Sequence, residues 1–166
     1  FKPYVLRNNI NEELDVISNS FGIDENIYIK RRAKRKPWLF FKTIKFLFLF
    51  YCRVRKKKDL IEFEVNKTLI GDLIYDTHIR SKNRYRTFNI YSFVFFKQVA
   101  RSIFLYFYFS DLFKSGKFKY FITSSRVYAL LGVASRVALK NECNVILSIG
   151  TSIRVYSHYD EIFENQ

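Results

Sequence analysis

The chain contains no methionine and a single tryptophan. A gene product begins with Met, so a segment opening on Phe1 is expected to have been processed, trimmed or cut from a longer chain. The other end, Glu161 to Gln166, has the pattern of an amphipathic helix stopped in mid-course, so both ends read as open. Cysteine is scarce: Cys52 and Cys143 stand far apart, which excludes a disulfide scaffold and fits a reducing cytoplasm. No CxxC joins either histidine, so a structural zinc site has no ligand set and no metal is expected. GxGxxG, the P-loop pattern, HExxH and GxSxG are all missing. Their absence argues against a dinucleotide enzyme, a P-loop NTPase, a zinc protease and an α/β-hydrolase, and no cofactor is expected. The longest apolar stretch also falls short. Trp38 to Cys52 covers fifteen residues with Lys42 and Lys45 inside, against the roughly 20 apolar residues that a bilayer span needs.

What is present is aromatic and basic. Hydrophobic residues make up 49% of the 166 positions and aromatics 19%, which excludes a disordered tail and supplies one buried core. Twenty-nine Lys and Arg against fifteen Asp and Glu leave a formal net charge of +14. That excess favours anionic partners: nucleic acid, acidic lipid headgroups or phosphorylated substrates. An AT-rich genome, which enriches Lys, Asn, Ile, Phe and Tyr, accounts for the same bias.

Apolar residues at helical spacing predict a helix over 10–21 (Ile10, Leu14, Ile17, Phe21), stopped by Gly22. Asp24 to Ile29 reads as a loop, and the basic run 30–36 closes at Pro37, which suits a first helical turn. The next helix, Trp38 to Val54, is bracketed by cations and fits either a buried element or one lying in the plane of a membrane surface. Leu60 to Val65 alternates like a half-buried strand. A helix is predicted over 70–80, a basic loop over 81–89 and a long aromatic helix over 90–113. Tyr120 to Ser124, Ser125 to Lys140 and Asn144 to Ile149 then read as strand, helix and strand, a βαβ unit with parallel strands. The expected fold class is therefore α/β, a Rossmann-like parallel sheet flanked by helices, with Leu60 to Val65 as a further strand.

Ligands of open parallel sheets bind at the carboxyl ends of the strands. Two segments fall there, Thr123-Ser124-Ser125-Arg126-Val127-Tyr128 and Gly150-Thr151-Ser152. Ser124 and Ser125 suit either an anionic group or simple capping of the following helix, while Arg126 and Tyr128 ask for more than a cap. The densest polar cluster is Asp72-x-x-x-Asp76-x-His78-x-Arg80, whose two carboxylates lie one turn apart on one face. His78 there reads as a general base or as a hydrogen-bonding surface residue.

At these residues the chain resembles a known family. Ile70-Gly71-Asp72-Leu73-Ile74-Tyr75-Asp76-Thr77-His78-Ile79-Arg80 is similar to the IGDLIYDTYLR block of bacterial capsule and surface-carbohydrate biosynthesis proteins, glycosyltransferases of the two-domain Rossmann type (GT-B-like). The aromatic helix, Ile122 to Tyr128 and Leu131-Gly132-Val133-Ala134-Ser135-Arg136-Val137-Ala138-Leu139-Lys140 follow in the family's order. The family more often carries Tyr at position 78 and often carries His at position 125.

The resemblance implies that residues 59–166 form an acceptor-side Rossmann-like domain open at its C-terminus, preceded by a loosely matched helical and basic segment, 1–58. It implies sugar transfer from a nucleotide-sugar, held mostly by a domain outside this chain, to a glycan or lipid-linked acceptor, with little activity from this piece alone. Asp72 and Asp76, with His78 behind them, are then the general-base candidates. Gly71, Arg80, Ser124, Ser125, Arg126 and Tyr128 are the substrate-binding candidates. The basic stretches imply a cytoplasmic protein peripheral at the inner face of the plasma membrane. Two other classes remain open: a nucleic-acid-binding module, disfavoured because no RNP, KH or zinc-finger pattern appears, and a non-catalytic peripheral membrane protein.

Overall fold

A computed structural model describes residues 4–7, 25–28, 36–81 and 89–163. The helix expected over 10–21 and residues 30–35 of the basic run lie outside the described residues. The chain divides into two compact units, Phe1–Phe40 and Phe41–Gln166. That division falls earlier than the 58/59 boundary drawn from the sequence.

In the first unit, β1 (Tyr4–Arg7) pairs in parallel with β2 (Glu25–Tyr28), in the register Tyr4 to Glu25 through Arg7 to Tyr28. The segment Asp24 to Ile29, expected as a loop, thus contains a strand. Helix α1 (Trp38–Arg53) begins next to Pro37, whose ring fixes φ for a first turn, and runs into the second unit.

The second unit holds the remaining elements. Helix α2 (Lys57–Ile61) is a short turn of helix, with the Asp59 carboxylate accepting the amides of Arg55 (2.9 Å) and Lys56 (2.8 Å) ahead of it. A hairpin follows, β3 (Glu64–Val65) antiparallel to β4 (Thr68–Leu69). Its two-residue turn places Asn66 at φ 49° and Lys67 at φ 61°, the left-handed pair that matches strand twist in tight hairpins. Helix α3 (Gly71–Ser81) leads to helix α4 (Phe93–Phe113), whose first turn is capped by Ser92 Oγ accepting the Phe95 amide at 3.2 Å. Then come β5 (Tyr120–Thr123), helix α5 (Ala129–Lys140), β6 (Asn144–Ile149), β7 (Ser152–Tyr156) and a 3-10 turn, Asp160–Ile162.

The expected βαβ unit is present: β5 and β6 are parallel neighbours joined by α5. The wider parallel sheet is not. Leu60 to Val65 does not join it, because Leu60 is spent in α2 and the rest pairs locally with β4 in a sheet of its own. Gly150-Thr151 is a two-residue turn, with Gly150 at φ 56°, that folds β7 back antiparallel on β6. The main sheet is therefore a mixed three-stranded one, ordered β5-β6-β7. Among the described residues the architecture is a mixed α/β fold with small sheets.

Helix α4 is the centre of the core. Its apolar residues surround the helix, so it is covered on more than one side, burying Phe95, Val99, Ile103, Phe109 and Leu112 among others. Phe50 of α1 meets Phe63 at 4.8 Å edge-to-face and Phe95 at 6.1 Å, and His78 stands edge-on to Phe95 at 5.0 Å. Each such fully buried ring contributes about 1.5–3 kcal/mol over an exposed one. Helix α5 packs against α4 and α3 on one side and against β5 and β6 on the other. No helix among the described residues is long and apolar enough to cross a membrane.

The two cysteines differ in access. Cys143 is buried, and burial pushes its thiol up to about 11, whereas Cys52 is exposed on α1. Since the thiolate is the nucleophile, a disulfide reagent at neutral pH should titrate one thiol rapidly in the folded protein. The second should react only on unfolding; two fast thiols would show that the α5–β6 corner opens.

Candidate functional site

The candidate residues gather where α3 crosses the start of α5. Gly71 opens α3 directly behind the α2 turn, and Phe63 O accepts the amides of both Ile70 and Gly71 at 3.0 Å. A Cβ on Gly71 would land on the carbonyl oxygen of Leu60. Close packing of two backbones therefore accounts for this glycine.

Asp72 is held by Arg136. The guanidinium makes a bidentate pair with it, Nη1 to Oδ1 at 2.6 Å and Nη2 to Oδ2 at 2.5 Å, and Nη1 also donates to Leu69 O at 2.7 Å. The Arg136 side chain is 2% exposed and that of Asp72 21%. Phe163 covers the guanidinium, its ring centre 4.7 Å from Cζ. Both oxygens of Asp72 are thus taken up in tying α3 to α5. The sequence reading passed over Arg136, although an arginine flanked by Val133, Ala134 and Val137 on an apolar helix face requires a buried counter-charge.

Asp76, one turn on, is different. It is half-buried, and among the described residues no hydrogen bond or ion pair holds its carboxylate. Burial raises its pKa above the usual carboxylate value, and the negative charge of Asp72 adds to the rise; Arg80 and Arg136 pull the other way. Arg80, a further turn along, reaches across to α5, where its Nη1 donates to Tyr128 Oη at 3.0 Å and its guanidinium lies 5.2 Å from the Tyr128 ring centre. Thr77 fastens the same contact. Its hydroxyl donates to Leu73 O at 2.7 Å and accepts the Ala129 amide at 2.9 Å, so the first turn of α5 is capped from another helix. Arg80 and Tyr128 therefore meet where the chain leaves β5 and enters α5, with Asp76 one turn before Arg80 on α3.

His78 is not in this group. It is buried on the opposite side of α3, against Phe95, with Nδ1 3.0 Å from Gln98 Oε1. With the amide oxygen as acceptor, Nδ1 carries the proton, and the imidazole serves the α3–α4 interface. Ser124 and Ser125 do not cap α5, which starts four residues after Ser125. Ser125 instead closes its own loop: Thr123 Oγ1 donates to Ser125 O at 3.0 Å, and Ser125 Oγ accepts the Val127 amide at 3.4 Å. Ser124 is exposed beside them. Arg126 turns to the C-terminal segment, donating to Ile162 O at 2.8 Å and Tyr156 Oη at 3.3 Å. Gly150-Thr151-Ser152, in the β6–β7 turn, has no helix behind it to present amides. Among the described residues no His, Cys, Asp and Glu cluster could hold a metal ion.

The raised pKa of Asp76 has a measurable consequence. A carboxyl whose pKa is higher folded than unfolded binds more protons in the native state across the interval between the two values. Its contribution thus favours folding at low pH and declines as pH rises through that interval. Asp76→Asn should therefore unfold at a higher temperature than the wild type at neutral pH. The difference should vanish as pH drops below the ordinary carboxylate range; a variant no more stable than wild type at pH 7 would show that Asp76 carries no such penalty. No family model, no curated protein and no solved structure matches the chain.

Proposed function

We propose that this chain is the acceptor-side half of a glycosyltransferase, with Asp76, Arg80 and Tyr128 at its acceptor site. The observation that carries the reading is Asp76. A carboxylate kept out of ion pairs, with a pKa raised by burial and by the neighbouring Asp72 charge, is maintained at a cost to stability, which is the usual signature of a group retained for chemistry. Its helix neighbour Arg80 meets Tyr128 in the segment that follows the parallel strand β5, and the carboxyl ends of strands are where open α/β sheets bind their ligands. The β5–α5–β6 unit is the part of a Rossmann-like domain that such a half requires.

On this reading Asp76 removes the proton from an acceptor hydroxyl as its oxygen attacks the anomeric carbon of the donor sugar, and the nucleoside diphosphate departs. Arg80 holds an anionic group on the acceptor, and the exposed Tyr128 ring packs against a sugar face. Asp72 and Arg136 set the angle between α3 and α5. The donor domain lies outside this chain, so little or no transfer is expected from the chain alone.

The test has two arms. Neutral and phosphorylated glycan fragments, titrated into the isotopically labelled protein, should shift the amides of residues 76–80 and 124–129. Arg80→Ala should weaken the phosphorylated ligands selectively. In the enzyme that contains this half, Asp76→Asn should lower kcat by about 10²–10⁴-fold while the protein stays folded. Undiminished kcat, or glycans that leave those amides unmoved, would remove the basis for the assignment.

A further inference from the structure

We infer that the outer face of α1, joined to the first turn of α4, docks the protein flat on an anionic lipid bilayer. This inference does not rest on the glycosyltransferase reading. Phe41, Ile44 and Phe48 recur every three or four residues along α1, opposite the buried Phe50 and Val54. They are 74%, 63% and 69% exposed, so the stripe faces outward along its whole length. It continues onto α4 through Tyr51, whose ring stacks on Phe96 at 6.0 Å, and so to Phe93 and Tyr91, themselves 68% and 77% exposed. Between these four rings opens a shallow apolar depression of about 500 Å³.

Charge selects the occupant. No acidic residue occurs from 26 to 58 or from 77 to 110, which takes in all of α1 and every residue of α4 up to Ser110, with Asp111 in the last turn at the far end from the stripe. Lys42 and Lys45 flank the stripe on α1, Lys97 sits over the Phe93 ring at 4.4 Å, and Arg101 follows one turn later, all exposed. An exposed apolar ridge rimmed by cations alone, on a helix too short to span, is the pattern of an element lying in the headgroup layer. A second copy of the chain would bring like charges together. Single-stranded nucleic acid needs open ring faces, but Ile44 offers none and Lys97 covers Phe93.

Co-sedimentation with vesicles tests the inference. Vesicles containing about 30 mol% phosphatidylglycerol should bind the protein at least tenfold more tightly than phosphatidylcholine alone. Phe41→Ser with Phe48→Ser should weaken binding by about tenfold or more, and Lys42→Gln, Lys45→Gln and Lys97→Gln together by on the order of a hundredfold. Thermal unfolding of each variant reports whether it folds. Independently of any variant, added salt should reduce wild-type binding without abolishing it, since the apolar part is unscreened. Four results would overturn the inference: no preference for anionic vesicles, complete release by salt, full binding by the folded serine variant, or an oligonucleotide or self-association response in place of vesicle binding.

Discussion

Asp72→Ala should destabilise the protein by about 3–5 kcal/mol, lowering its thermal midpoint by on the order of 10 °C. The substitution removes the ion-pair partner of a guanidinium that is 2% exposed, leaving a buried cation with the Leu69 carbonyl as its hydrogen-bond acceptor. The loss comes mainly from the stranded charge, not from the absent attraction. Replacing both members by apolar residues of similar size, as in Asp72→Leu with Arg136→Met, should therefore recover much of the stability lost by Asp72→Ala. Equilibrium unfolding of the two singles and the double measures the coupling. Losses that simply add would mean that the bidentate pair does not form, and Asp72 would return as a candidate for the chemistry.

The second large effect belongs to Gly71. A methyl group here meets the carbonyl oxygen of Leu60, with Leu60 C and the Phe63 amide nitrogen both 2.9 Å away. All three are backbone atoms, so no side chain can rotate aside, and the α2 turn must move off the start of α3. Gly71→Ala should cost about 3 kcal/mol, the upper end for overpacking. Gly132→Ala should also be costly, with Arg126 O at 2.5 Å and Leu73 Cδ2 at 2.7 Å from the added carbon. Gly116 makes the control: it has φ 65° and nothing within 4 Å, so alanine there costs only its left-handed strain, about 1–2 kcal/mol. If chemical denaturation gave Gly71→Ala and Gly116→Ala the same midpoint, the close approach of α2 to α3 would be disproved.

Helical periodicity made α1, α3, α4 and α5 readable, and β5 and β6 stood out as short apolar runs between polar residues. Strand Leu60 to Val65 was misread because Leu60 and Phe63 also fit helical spacing. The turn that fixes the hairpin, Asn66-Lys67, lacks the glycine that usually marks a left-handed pair. The start of α5 was placed too early because Ser124 and Ser125 look like caps, whereas the cap comes from Thr77, 52 positions away. Spacing put Asp72 and Asp76 on one face of α3, and the structure keeps them there, with Arg80 a further turn along. What spacing could not do was separate the two carboxylates. That difference depends on Arg136, which is 64 residues from Asp72 and makes its bidentate pair with that carboxylate. His78 sat within the same cluster by sequence, yet a rotation of half a turn sends it into α4.

The segment that seals the Asp72–Arg136 pair is made after the elements that it covers. Phe163 lies over the Arg136 guanidinium, and Tyr159 Oη accepts the Leu69 amide at 2.9 Å across 90 positions. During synthesis, therefore, β5, α5 and β6 can assemble while the pair they carry is still open on one side to water. Only when residues 156–163 emerge can Arg126 clasp Ile162 and the aromatic cover close. Translation order thus gives this unit a step of its own, in which β5, α5 and β6 wait on residues 156–163 to shut water out.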